Sequence, residues 1–362
     1  MVFSDPKTHR RTSAAALWEE KSREFGFLCV DDFVGDIFRA RALATAFETG
    51  LIDALIQSKS LSYNALMKQG NGDTRGRRLL LELLVQNRVV DHREEKITLT
   101  ESFLHALEYR DLLELKISLA NGAAHDFLNH FSELVFRPHR FFRKAEVCRL
   151  FAYDRCFSRS EGNYEATKRW MRITTTLTKY EAHACMKYHD FGRYRSILDI
   201  GGNSGEFVLQ ICTKYPLMQA VVFDLPLVCE IGREHLHSKR EGGRISFVEG
   251  NALTDDLPKG FDLIIFKSML HDWPEREAVQ FINRASQSLA PGGTLLIFER
   301  GPIAVGEGEI SYSIMPFLLF LHSFRSPDIY DKILRANGYR NIDVENIHLD
   351  SPFFILTARK IE

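Results

Sequence analysis

The chain is poor in the features that mark membranes, secretion and nucleic-acid binding. No run of about 18 apolar residues occurs, so no membrane-spanning helix and no membrane partner is expected. The most apolar stretch, Ile314 to Leu321, is too short to span. Charge of one sign is lacking: Lys plus Arg number 47 and Asp plus Glu 48, a net charge of -1. That balance gives no broad attraction to nucleic acid, which is not expected as a partner either. Cysteine is scarce, and the six, at 29, 148, 156, 185, 212 and 229, form no C-x-x-C pair. They read as reduced, mostly buried thiols. No metal site is expected, because His235 and His237 stand two apart on a helix and would not share a face. Met1 to Arg11 carry charges and a proline where a secretory leader would need an apolar core, so the expected location is the cytoplasm. Internal repeats and low-complexity segments are also missing.

What remains is an ordinary globular composition, 45% hydrophobic and 26% charged over 362 residues, enough for two or three domains. Three parts are expected: 1–110, 111–190 and 191–362. The first is mainly helical. Val34 to Leu55 carries apolar residues at helical spacing, with Gly50 as a stop. Ser62 is a candidate N-cap for a second helix. Asp73 begins a third, and Val89 to Thr100 reads as a short hairpin. Three helices and a two-stranded wing describe a winged helix. Arg75, Arg77 and Arg78 open the third helix, but Leu79 to Val85 then turns almost wholly apolar. A DNA-reading helix should stay polar on its outer face, so self-association is the better reading. Residues 111–190 are again helical and rich in aromatics, from Phe127 to Trp170. Most should be core, and some should wall a pocket for a flat ligand; Trp170, Met171 and Phe317 are candidates.

The third part alternates strand and helix. Apolar runs at 195–200, 219–224, 244–249, 261–266, 293–299, 341–347 and 353–359 predict a seven-stranded, doubly wound, Rossmann-like α/β sheet. The last two runs are joined only by a few residues around Ser351, which permits an antiparallel hairpin and no parallel crossover. The last strand is therefore expected to be antiparallel.

The chemistry sits at the ends of these strands. The first runs Ser196-Ile-Leu-Asp-Ile-Gly-Gly-Asn-Ser-Gly into a helix. Glycines there let a ligand approach the backbone. Their spacing, at 201, 202 and 205, is not the G-x-G-x-x-G of nicotinamide enzymes. Asp199 precedes them. It would repel a pyrophosphate but suits a ligand with an ammonium and a sulfonium, which favours S-adenosylmethionine (SAM) over NAD. Asp224, at the second strand's end, is placed to accept hydrogen bonds from ribose hydroxyls. After the third, Asn251 could bond an adenine edge, with Ala252 and Leu253 packed on its face. His271 and Glu299 follow the fourth and fifth strands, which are neighbours in such a sheet. An imidazole beside a carboxylate is a general base with a fixed tautomer.

Together these residues resemble the SAM-dependent small-molecule O-methyltransferases of the caffeate and hydroxyindole type. The motifs are the Asp-Ile-Gly-Gly-x-x-Gly turn, the Phe-Asp-Leu-Pro run, and Leu-His-Asp-Trp with a glutamate 28 residues after its histidine. The resemblance implies that Gly201 and Asp224 bind SAM and that Lys267 contacts it near the carboxylate or adenosine. It makes His271 the base, oriented by Glu299, and it implies a homodimer built through the N-terminal helices. SAM would leave as S-adenosylhomocysteine (SAH), and no metal is implied. Two positions depart from the family pattern. Gly250-Asn251-Ala252-Leu253 stands where Gly-Asp-Met-Phe is usual, and Phe324 occupies the place of a second glutamate that flanks the base in plant members.

A phenol has a pKa of about 10, so a base at His271 would assist its attack on the methyl group. The same deprotonation activates the ring carbon ortho to the oxygen. O-methylation of a small phenolic aromatic is expected, with C- or N-methylation as alternatives. A SAM-sensing DNA-binding regulator and a nicotinamide-dependent reductase are the rival readings outside this reaction.

Overall fold

A computed structural model describes residues 24–68, 73–303 and 310–360. Met1 to Arg11, on which the absence of a leader was read, lie outside the described residues.

The N-terminal unit opens with a 3-10 turn at Gly26–Phe33, followed by helix α1 (Ile37–Glu48). Asp36 caps α1, its Oδ1 accepting the Arg39 N–H at 2.9 Å. The helical run expected over 34–55 is two helices. Gly50 adopts φ 72°, a conformation glycine takes without cost, and α2 (Leu51–Ser58) restarts beyond it. Strand β1 (Leu61–Ser62) leads into α3 (Tyr63–Lys68), whose Ala65 N–H reaches Ser62 Oγ at 3.4 Å. After α4 (Thr74–Gln86) comes the expected hairpin, β2 (Val90–Arg93) and β3 (Lys96–Leu99), with β1 on the outer side of β3. Helix α5 (Glu101–Ala106) closes the unit. Leu81 and Leu84 of α4 are buried, whereas Leu79 is 61% exposed, so its apolar run faces two ways.

Two long helices join this unit to the sheet. In α6 (Arg110–Phe136), Leu112, Leu113 and Ile117 pack into the N-terminal core. Helix α7 (Pro138–Lys144) and two 3-10 turns follow. Then α8 (Glu161–Tyr188) runs its last turns, at Ala182, Ala184 and Cys185, into the core on one face of the sheet. The aromatics of this region divide. Phe127 and Phe141 are core, but Phe131 and Phe136 are exposed.

The third part is the predicted seven-stranded sheet. Its elements in chain order are β4 (Ser196–Ile200), α9 (Glu206–Lys214), β5 (Gln219–Asp224), α10 (Pro226–His237), β6 (Ile245–Glu249), β7 (Phe261–Lys267), α11 (Glu275–Ser288), β8 (Leu289–Arg300), α12 (Pro327–Ala336), β9 (Tyr339–His348) and β10 (Pro352–Lys360). The spatial order is β6-β5-β4-β7-β8-β10-β9. β4 pairs in parallel with β5 and β7, and β7 with β8. β10 is antiparallel to both β8 and β9 and lies between them. Strand β8 begins earlier than residue 293. Leu289 already pairs with Phe261, and the register shifts before Leu263 meets Thr294, leaving Gly292 at φ 70°. Apolar side chains fill both faces, as near-continuous runs such as Leu263–Phe266 require in a sheet covered on both sides. The C-terminal ends of β4, β5, β7 and β8 therefore share one edge, and α8 lies against it.

Candidate active site

A cavity of about 360 Å³ opens along that edge. Every residue expected to bind cofactor lines it: Asp199, Gly201, Asp224, Asn251, Ala252 and Lys267. His271 lines it too, while Glu299 stands behind His271 and is fully buried. The two pocket-wall candidates Trp170 and Phe317 face the cavity. Met171 does not line it; it is buried with Leu227 and Val228.

The glycine turn is tight. Gly201 has φ 71° and its N–H donates to the Phe223 carbonyl at 2.9 Å. A Cβ on Gly202 would lie 2.6 Å from the Asp199 carboxylate. Asn203, with φ 55°, donates its N–H to Asp224 Oδ2 at 2.8 Å. Asp224 Oδ1 takes the Leu225 N–H at 2.7 Å. Burial pushes the Asp224 carboxyl up to about 6 even against these two donors. Asp199 has neither oxygen partnered. Burial, with the neighbouring Asp224 charge added, pushes it up to about 7. An unpartnered buried carboxylate in a cavity wall calls for a cationic or hydrogen-bonding ligand. Asn251 uses its side-chain oxygen locally, accepting the Leu253 N–H at 3.0 Å, which leaves its Nδ2 as the atom for a ligand.

Glu299 reaches the base as the strand ends require. Its Oε1 accepts the N–H groups of Met269 and Leu270, both at 2.8 Å, and its Oε2 accepts the His271 Nδ1–H at 2.6 Å. Three donors hold this carboxylate, and it in turn assigns the ring proton to Nδ1. Nε2 is then the ring's acceptor. Burial disfavours the charged ring, but the Glu299 and Asp272 carboxylates outweigh it and raise the His271 pKa above its ordinary value. Phe320 and Phe324 pack on the ring, each with its centroid 5.0 Å away. The phenylalanine at 324 thus does lie against the base.

Several further groups meet at the site. Asp272 Oδ1 lies 3.4 Å from His271 Nε2 and has no hydrogen-bond partner. Its Oδ2 accepts the Tyr153 O–H at 2.6 Å. The Thr-Thr-Thr-Leu-Thr run of α8 crosses the glycine turn: Thr174 donates to Asn203 Oδ1 at 3.1 Å and Thr175 to Ser204 Oγ at 2.7 Å. Thr178 accepts from Lys267 Nζ at 2.8 Å. Glu181, one turn on, pairs with Lys267 and with Arg300, the latter at 2.7 Å. This starts a buried alternation of charges. Arg300 also pairs with Asp350 at 2.8 Å, Asp350 with Lys116 at 3.1 Å, and Lys116 with Asp31 at 2.6 Å. A signal existed for the threonine run, an unusual density of hydroxyls on one helix. Asp272 adjoins the histidine in sequence and could have been weighed.

The arrangement can bind a nucleotide-like ligand along the strand ends and remove a proton at His271. Comparison with known proteins bears on this. Residues 136–340, more than half the chain, match the O-methyltransferase domain family. The chain is 26% identical to 3-hydroxy-5-methyl-1-naphthoate 3-O-methyltransferase of Streptomyces sahachiroi over 277 residues, 74% of this chain and 75% of that protein. It is 24% identical to acetylserotonin O-methyltransferase of Bos taurus over 331 residues, 88% of this chain and 93% of that one. The fold matches a crystal structure of human N-acetylserotonin methyltransferase in complex with SAM. The TM-score is 0.69 at 21% identity, covering 99% of this chain and 100% of that one.

Proposed function

This chain belongs to the O-methyltransferase family and is a SAM-dependent methyltransferase; from that premise we propose that it methylates a hydroxyl oxygen of a small aromatic molecule, with His271 as general base. The observation that carries the reading is the hydrogen bond from His271 Nδ1–H to the buried Glu299, in a ring that lines the cavity. Glu299 touches only the ring and backbone N–H groups, so it is a positioning residue.

The cavity's chemistry fits SAM. The unpartnered Asp199 oxygens suit its ammonium, and the remaining Lys267 proton suits its carboxylate. Asp224 would take the ribose hydroxyls, Asn251 Nδ2 the adenine edge, and Ala252 the adenine face. Gly201 and Gly202 keep side chains away from the approach. When bound, SAM supplies a methyl group already activated on a sulfonium. What the chain adds is alignment, a proton acceptor and exclusion of water. His271 Nε2 takes the proton from the hydroxyl oxygen, and Glu299 stabilises the imidazolium that results. A base with a raised pKa lies closer to a phenol's pKa of about 10, which eases that transfer. Phe151, Phe317, Phe320 and Phe324 supply an apolar wall for a flat acceptor.

The N-terminal part, 1–110, is read as a winged-helix self-association module, and the chain as a cytoplasmic homodimer that binds neither nucleic acid nor metal. The exposed Phe38 and Leu79 support an apolar partner over a polyanion. No described helix is long and apolar enough to cross a membrane. The test is His271→Ala, assayed with SAM and a panel of phenols. Turnover should fall at least ~100-fold, with SAH binding by calorimetry unchanged and the wild-type product carrying its methyl on oxygen by NMR. Turnover retained in the variant would overturn the base assignment.

A further inference from the structure

We propose that Glu181 competes with the cofactor's carboxylate for Lys267, and thereby limits how tightly the SAH product is held. The inference rests on the reading that Lys267 meets that carboxylate.

The first observation is the supply of cations. Among the described residues, the only lysine and arginine in the cavity wall are Lys267 and Arg300. Arg300 is engaged elsewhere: it pairs with Glu181 at 2.7 Å and with Asp350 at 2.8 Å. An anionic group on the ligand therefore depends on Lys267. Of the three Lys267 protons, one goes to Thr178 Oγ1 at 2.8 Å and another faces Glu181 Oε2, so one is left for a ligand. The charge behind that proton already has a counter-ion. Lys267 and Glu181 are 10% and 7% exposed, so water and salt screen the pair little. Burial opposes the charge on Glu181, but Lys267 and Arg300 outweigh it and hold the carboxyl below its ordinary value. A carboxylate that arrives at Lys267 thus comes up beside a second one that stays ionised.

The second observation is that Glu181 is not free to swing away. Its Oε1 is held by Arg300, whose guanidinium lies over the Phe317 and Phe353 rings, 3.8 and 4.4 Å from their centroids. Its backbone belongs to α8, which Thr174 and Thr175 fasten to the glycine turn. The repulsion therefore persists in the complex and is relieved only when the ligand leaves.

The test is calorimetric binding of two probes to the full chain: SAH, and decarboxylated SAH, which keeps the ammonium. In the wild-type protein the carboxylate should contribute little, a preference for SAH below ~10-fold. Glu181→Gln keeps the shape and removes the charge. It should raise that preference at least ~10-fold through tighter SAH binding, with slower SAH release by stopped flow. Glu181→Met should act in the same direction. In a Lys267→Met background, Glu181→Gln should change the preference little. A wild-type preference above ~10-fold overturns the proposal. So does a preference that Glu181→Gln leaves unchanged or lowers, or a rise that survives undiminished in Lys267→Met. Failure of the premise reads differently: Lys267→Met alone would then bind both probes as the wild type does.

Discussion

Asp199 offers a quantitative test of the cofactor site. Its carboxyl is pushed up to about 7, first by burial and then by Asp224, and neither of its oxygens has a protein partner. The raised value means that the free protein holds a proton on Asp199 below neutral pH. A ligand ammonium bonds only the ionised form, so binding must expel that proton. The sign follows: affinity is nearly full above about pH 8 and falls as the pH drops through about 7. Going from about pH 7.5 to about pH 5.5, the fraction of Asp199 that is ionised falls roughly 25-fold, which weakens binding by about 2 kcal/mol. Asp224, near 6, adds roughly fourfold through the ribose contacts. The assay is calorimetric titration with SAH, which retains the ammonium, in two buffers of different ionisation enthalpy. Wild type should release roughly 1.4 protons on binding near pH 6, about 0.9 from Asp199 and about 0.5 from Asp224. Asp199→Asn should bind more weakly at neutral pH and keep only the shallow Asp224 slope. A dissociation constant flat across this range, or an unchanged slope in Asp199→Asn, would refute the reasoning.

Glu299→Gln places an amide where three donors converge, so its NH2 either faces a backbone N–H or donates to His271 Nδ1 and moves the ring proton to Nε2, which blocks the base. We predict a loss of at least ~100-fold in kcat/KM, with SAH affinity retained and unfolding easier by about 1–3 kcal/mol in urea. Equal activity would show that the tautomer is set by some other group. Lys116→Met leaves Asp31 and Asp350 buried against each other without their shared cation. The expected loss is about 3–5 kcal/mol of stability at neutral pH, read by thermal or urea unfolding. A change within error would mean that water reaches the pair.

Much of this fold was legible because its signals are local. The apolar runs from Ser196 to Phe298 mark each strand, and the short link at Ser351 dictates the antiparallel end. The cofactor edge follows from them, since strand ends in a doubly wound sheet converge on one crevice. That rule also brought His271 to Glu299, although they are far apart in sequence. What stayed hidden depends on how the helical region folds over that edge. Nothing in the spacing of Tyr153 and Asp272, 119 residues apart, says that they touch. Arg300 to Glu181 is the same case. The aromatics of 111–190 show the limit of composition as a guide. Phe127 and Phe131 differ by one helical turn, yet one is core and the other faces outward. Strand β8 starts at Leu289, ahead of the run expected from 293, because the sheet absorbs Gly292 and Gly293 as an irregular register.

The alternating charges between Asp31 and Lys267 have a consequence in time as well as in space. Lys116 waits for Asp350, which is 234 residues further along the chain. At typical rates of synthesis that interval is roughly 10–50 s. During it, Lys116 and Asp31 can hold only each other, and Arg300 lacks its hairpin partner. The turn between β9 and β10 is made long after α6, and it carries the carboxylate that joins Lys116 to the sheet. The contact between Lys116 and Asp350 can form only once residue 350 has been made. A nascent chain arrested before Tyr339 should leave α6 open to protease, and release of the complete chain should protect it.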